Sequence, residues 1–162
     1  MSGFLTFAER RRLVFRTVDF LVQNGRFRLE RGFVQHGSFS VYKHSVGVAL
    51  FAVSLAAALR CAVDYESLVR GALLHDYFLY DWHTYRGVPF THGFTHPFRA
   101  LQNAREDFSL NRCEKDIISR HMFPLVPLPP FTKEGWLVCL ADKVCALRET
   151  VAQFYIHKKQ GE

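Results

Sequence analysis

The chain has no cysteine pair spaced as CxxC, and its four cysteines, Cys61, Cys113, Cys139 and Cys145, form no dense framework. A zinc-finger reading therefore fails, and free thiols in a reducing compartment are expected. Long uncharged apolar runs are also lacking. The longest candidate, around Val46 to Leu59, is interrupted or bounded by Lys43, His44, Arg60 and Asp64, short of the roughly 18 residues of a membrane helix. The opening "MSGFLTFAERRRLVFR" lacks the order of basic segment, apolar segment and small-residue cleavage site that a secretory signal needs. The expected compartment is the cytoplasm, with no membrane partner. There is no internal repeat, no low-complexity tract and no sustained period-two alternation, which removes repeat and all-β architectures.

What is present suits one compact unit. At 162 residues, 49% hydrophobic with 16 Phe, the chain can build a single aromatic-rich core, so one domain over residues 1–162 is expected. The net charge of +6 comes largely from "ERRRLVFR" and "HKK". It can attract small anions, but no nucleic-acid motif accompanies it, so a solvated helix face and a charged tail are the reading and a nucleic-acid partner is not expected.

Several segments carry a 3.6-residue apolar rhythm, which predicts an all-α helical bundle. The first helix is expected over Leu5 to Val22, followed by the polar connection "QNGRFRLERG". The next spans Ser38 to Leu59, with Ser38 or Ser40 as its cap, and Asp64 caps a third from Tyr65 to about Tyr80. "DWHTYRGVPFTHGFT" reads as an irregular loop rich in His and aromatics, and such loops are often functional. Pro97 suits the first turn of a helix running to about Asp107. Asn111 and Glu114 form a capping-box pattern for a short helix ending near His121. "FPLVPLPPF" cannot be helical, and a last long helix runs from about Lys133 to Tyr155.

The stretch "LLHDYFLYDWH" departs from this plain pattern, because His75 and Asp76 sit inside a run that should be buried. An unpaired buried carboxylate costs several kcal/mol or takes up a proton, so Asp76 needs a partner. His44 on an Ala/Val-rich helix, His121 at the end of an amphipathic one and Asp142 within "WLVCLADKVCAL" share the same oddity. If these helices pack on one core, imidazoles and carboxylates converge there and make a good site for a divalent cation.

The order His44, His75-Asp76, Asp142, with "ADKV" around the last, resembles the HD-domain superfamily of metal-dependent phosphohydrolases over roughly residues 35–147. The resemblance implies a helical bundle of that type, with the N-terminal helix packed on the metal-bearing core. It implies His44, His75, Asp76 and Asp142 as metal ligands. By analogy with the binuclear subset, His96 in "THPFRAL" and His121 in "IISRHMF" would complete a two-metal set with Asp76 shared. His92 and His83 rival His96 for the loop position. One or two divalent ions among Fe, Mn, Ni, Co, Zn and Mg are implied. The pair is followed by "YFLYD", without the glycine usual in the cyclic-dinucleotide branch, and no His-His-Glu or GYP element follows His121, so that activity is not implied.

Such ions lower the pKa of bound water and polarise phosphoryl oxygens, giving hydrolysis of a phosphoester in a small metabolite or nucleotide. Asp76 and Asp81 are the catalytic candidates, Asp81 to position water or protonate the leaving oxygen. His36 and Lys143 are the candidates for binding the substrate phosphate. Two other functions share the ligand set: a di-iron oxygenase of the same helical type, and a ligand-sensing module without turnover. A homodimer is compatible with all three.

Overall fold

Thr6 starts the first helix. Its hydroxyl accepts from the Glu9 N–H while the Glu9 carboxylate accepts from the Thr6 N–H at 2.7 Å, a reciprocal cap written in the sequence as Thr-x-x-Glu. The box moves α1 to Phe7–Asn24, two residues beyond the expected Leu5 to Val22. The computed structural model describes residues 5–36, 39–81 and 89–160, with the side chains of residues 36, 89–90 and 156–160 outside that description.

The connection after α1 is not structureless. It holds a 3-10 helix, Phe27–Gly32, and an antiparallel ribbon of β1 (Val34–His36) and β2 (Phe39–Ser40). The reason is Phe27, which is fully buried and packs against Tyr42 and Tyr77 with ring centroids 5.4 and 6.3 Å away. Polar neighbours hide this single anchor from a periodicity argument.

Ser40 caps α2 (Val41–Ala58), accepting from the Lys43 N–H at 3.3 Å, so the helix begins three residues after the expected Ser38. By length and composition α2 could cross a membrane, in spite of Lys43 and His44. Here it is a core helix, with His44, Val48, Ala49, Ala52 and Ala56 fully buried between α1, α3 and α6.

Asp64 caps α3 (Tyr65–Leu74) by accepting from the Glu66 and Ser67 N–H groups. The helix stops at Leu74, so His75 and Asp76 lie just past its end and not within its second half. Leu79 takes a positive φ of 57° and turns the chain away. Past the helix end, the carbonyls of Tyr77 and Phe78 have no helical partner and accept from the Asn103 amide at 3.0 and 2.9 Å. Ending there buries both aromatic rings and frees Asp76 to face inward.

The fourth helix, α4 (Pro89–Asp107), begins well before Pro97, which lies inside it. Part of the expected loop is thus helical, and residues 82–88 lie outside the described chain. Two side chains bond back to carbonyls one turn earlier, Thr95 Oγ1 to Thr91 O at 2.9 Å and His96 Nδ1 to His92 O at 2.8 Å. They support the turn in which Pro97 itself has no N–H to give.

The capping box at Asn111 and Glu114 opens α5 (Arg112–Arg120) as the sequence predicts. Gly71 sets its distance from α3, since a Cβ there would lie 2.5 Å from Ile117 Cδ1. That close approach brings the end of α5 beside the end of α3. The proline-rich segment is non-helical, as expected. Asp116 fastens it by accepting from the N–H groups of Phe131 and Thr132 at 3.1 and 2.9 Å. Then α6 (Lys133–Gln160) follows, 28 residues long. Apart from the short ribbon the described residues form an all-α bundle, and α1 packs on α2 and α3.

Candidate metal centre

Five elements each deliver a side chain to one buried point. His44 comes from the first turn of α2, His75 and Asp76 from the broken end of α3, His96 from the middle of α4, His121 from the C-cap of α5 and Asp142 from α6. All six are buried. Asp76 lies between two groups of donors. Its Oδ2 is 3.4 Å from His75 Nε2 and 3.9 Å from His44 Nε2, while its Oδ1 is 3.2 Å from His96 Nε2 and 3.5 Å from His121 Nε2. Asp142 Oδ1 completes the first group, 3.1 Å from His44 Nε2 and 3.7 Å from His75 Nε2.

Backbone carbonyls fix the tautomers. Nδ1 of His75, His96 and His121 lies 2.7, 2.8 and 2.9 Å from the carbonyls of Ala72, His92 and Ile118. A carbonyl only accepts, so each Nδ1 carries a proton and Nε2 is the nitrogen turned inward, offering its lone pair whenever the ring is neutral. Nε2 of His96 and Nε2 of His121 lie 2.9 Å apart, a spacing that calls for a proton or a cation between them. Buried polar atoms without partners are rare in folded proteins, yet His75 Nε2 and Asp76 Oδ1 both lack a hydrogen bond here. Lone pairs and carboxylate oxygens aimed at a common point suit a divalent cation, and the residues present fit that group.

The electrostatics of the cluster without a cation agree with this arrangement. Burial works against charging His44, but hydrogen bonds to the Asp142 and Glu149 carboxylates outweigh it and hold the imidazole up to about 9. Burial also opposes the charge on His75, and Asp76 and Asp142 nevertheless raise it well above the usual imidazole range. Asp76 and Asp142 are held well below the usual carboxylate range, against the cost of burial, by the surrounding imidazoles. His121 goes the other way, lowered by burial and by the neighbouring His75 and His96. Some of the rings thus take up positive charge to balance two carboxylates, the place a cation would fill.

Three further residues complete the surroundings, and sequence reasoning assigned none of them. Glu149 lies two helical turns after Asp142 on α6, and its Oε2 sits 3.0 Å from His44 Nδ1. The seven-residue spacing on one helix face was the available signal. Gln35 on β1 donates its amide to Asp76 Oδ2 at 2.5 Å, which gives the short ribbon a purpose. Glu30, in the 3-10 helix, is fully buried. Burial and the field of Asp76 hold its carboxyl well above the usual range, with the Ser45 hydroxyl opposing.

Glu149 orients His44 from behind and keeps electron density on the ring. Glu149→Gln, which keeps the shape and removes the charge, is expected to weaken metal binding about tenfold, the low end for residues that support a ligand. Competition with a chelator at fixed pH measures it; unchanged affinity would leave Glu149 with no part in the centre.

Five other residues were named from sequence. His92 stacks on His96 at 4.7 Å between centroids and its Nδ1 faces the Tyr80 hydroxyl at 2.8 Å, so among the described histidines of this segment it is His96 that reaches Asp76. His83 lies outside the described residues, as does the side chain of His36. Asp81 is not among the described residues that line the cleft or offer a ligand atom. Its expected placement assumed a helix continuing past Asp76, and that helix ends at Leu74. Lys143 does line the cleft, with its ammonium donating to the carbonyls of His121 and Cys139 at 3.0 and 3.2 Å. The cleft over the cluster has a volume of about 790 Å³.

The family model for the HD domain matches residues 41–147, a span that contains His44, the His75-Asp76 pair, His96, His121 and Asp142. Neither the curated proteins nor the solved structures compared with the chain give a match.

Proposed function

The chain belongs to the HD domain family, and from that premise we propose that it is a metal-dependent phosphohydrolase that cleaves a phosphoester of a small phosphorylated metabolite or nucleotide. The observation that carries this reading is Asp76, whose two oxygens face different sets of inward-turned imidazoles. His44, His75, Asp142 and Asp76 Oδ2 would hold one ion, and His96, His121 and Asp76 Oδ1 a second. Bound there, divalent ions supply Lewis acidity toward phosphoryl oxygens and a water acidic enough to attack at neutral pH.

The chain's own groups prepare the site for that chemistry. The carbonyls of Ala72, His92 and Ile118 hold three rings in the ligating tautomer, Glu149 orients the fourth, and Gln35 orients Asp76. Lys143 adds a positive charge at the cleft, where it can favour an anionic substrate. The small phosphorylated substrate is the one partner this function requires, and the cytoplasm is the compartment it suits.

A di-iron oxygenase could use the same donors, so the test must separate the two. Protein purified without oxygen is analysed for metal, then screened for phosphate release from phosphomonoesters, phosphodiesters and nucleotides with manganese, iron, cobalt, nickel and magnesium. Metal-dependent phosphate release is expected. Stoichiometric iron with oxygen consumption and no phosphate release would replace the proposal with the oxygenase, and bound ligand without turnover would replace it with a sensing module.

A further inference from the structure

The cleft above the metal centre is a poor match for a polyphosphate. Of the described residues lining it, Lys143 is the only lysine or arginine, and beyond the ligand atoms the walls are mostly Phe94, Met122, Pro124, Leu125 and Ala146. A chain of phosphates needs several cations or backbone donors along its length, and an apolar wall offers neither. One phosphoryl group at the floor with an apolar body above it fits both parts of the cleft.

A second pocket, about 580 Å³, lies beside the first. The two share Pro124 and Lys143 as walls. Lys143 holds its ammonium against the backbone carbonyls of His121 and Cys139, which leaves its aliphatic stem as a partition that both cavities can touch. The second pocket is mostly apolar: Phe123 meets Trp136 edge to face at 5.4 Å, Leu59, Leu137 and Leu140 line it together with Cys61 and Cys139, and among the described residues Lys133 is its one lysine besides Lys143. Trp136 and Leu140 are about half exposed, so this apolar surface is open to a ligand without any movement of the core.

From this juxtaposition we propose that the substrate is an amphiphilic monophosphoester, its phosphate at the metal centre and its apolar chain or ring system passing over Pro124 and the Lys143 stem into the pocket floored by Trp136 and Leu140. The head-group assignment rests on the phosphohydrolase reading; the apolar subsite rests on the second pocket and its shared walls.

The test uses the full-length protein as purified and a series of non-hydrolysable n-alkyl phosphonates, methyl to decyl, kept below their aggregation concentrations and titrated by calorimetry. Dissociation constants are expected to fall about three- to fourfold per methylene over the lengths that reach the second pocket, then to level off. Leu140→Glu, at a half-exposed position where the fold tolerates a charge, is expected to collapse the decyl-to-methyl affinity ratio. Trp136→Ala is expected to reduce it. Affinity independent of chain length in the wild type would overturn the proposal, with or without a folded variant, and so would a steep dependence that Leu140→Glu leaves intact. Concentration-dependent self-association abolished by Leu140→Glu, together with a flat series, would assign the pocket to a second copy of the chain instead. The two readings fail separately: a steep phosphonate series without hydrolysis of the matching alkyl phosphates removes the phosphohydrolase, whereas equal kcat/KM for methyl and decyl phosphate removes only the apolar subsite.

Discussion

Asp76→Asn is expected to keep the helical circular dichroism of the parent and to lose tight metal binding, with affinity down by at least about a hundredfold. The side chain is buried and its two oxygens face two different pairs of imidazoles. An amide fills the same space, but one of those positions becomes an N–H donor, which repels a cation and donates to the imidazole lone pairs that would otherwise bind it. Stability gives an independent readout. At a free-metal concentration a hundred times its Kd, a protein with one such site gains about 2.7 kcal/mol from binding, and a hundredfold weaker site gains only about 0.4 kcal/mol. Thermal unfolding with and without metal should therefore show a large upward shift for the parent and almost none for Asp76→Asn. Without metal the variant should itself be less stable than the parent, because His75 loses a buried charged partner, so the shift that metal produces within each protein is the readout. Asp76→Ala should behave the same way toward metal; full metal content in either variant would refute the ligand assignment.

The outline of the bundle was legible wherever a helix announces itself locally. Ser40, Asp64 and Asn111 cap the helices that their spacing predicts, and six ligand candidates on five elements meet at one point. Where the reading went astray, distant contacts decide the local structure. The end of α3 depends on Asn103, which is remote in sequence and accepts no place in a periodicity pattern. Pro97 usually marks a first turn, yet α4 starts at Pro89 because the turn before Pro97 is supported by side-chain bonds to its carbonyls. The 3-10 helix follows from the burial of one phenylalanine. Glu149 and Gln35 were missed for a related reason: a single carboxylate or amide in an amphipathic segment looks like surface until the fold turns it toward His44 or Asp76. Asp81 was read as following a helix that reaches about Tyr80, whereas α3 ends at Leu74 and the chain turns at Leu79.

On the two-ion reading proposed above, removing His96 and His121 together is expected to lower the bound metal from two equivalents to one while abolishing turnover. The first donor group, His44, His75, Asp142 and Asp76 Oδ2, offers four protein ligands, enough to hold an ion alone. The second group has three, His96, His121 and Asp76 Oδ1. Fewer protein donors leave more positions for water and substrate, so the second site is the more open one. The His96→Ala/His121→Ala variant keeps the four-donor group whole and deletes two of the three ligands on the open side. The variant also leaves a cavity, two unpaired carbonyls and Asp76 Oδ1 without its imidazoles, a cost of several kcal/mol, so circular dichroism and thermal unfolding are read beside the metal content. The single variants should not be equal. His121 lies within ligating reach of both groups, since its nitrogen also clusters with His75 and Asp142, so His121→Ala is expected to weaken metal binding more than His96→Ala. Metal content after equilibrium dialysis, measured beside phosphate release, checks both statements. Two equivalents retained by the double variant would place the second ion elsewhere, and loss of both would mean that the ions bind as one cooperative unit, with Asp76 as the bridge that makes either site depend on the other.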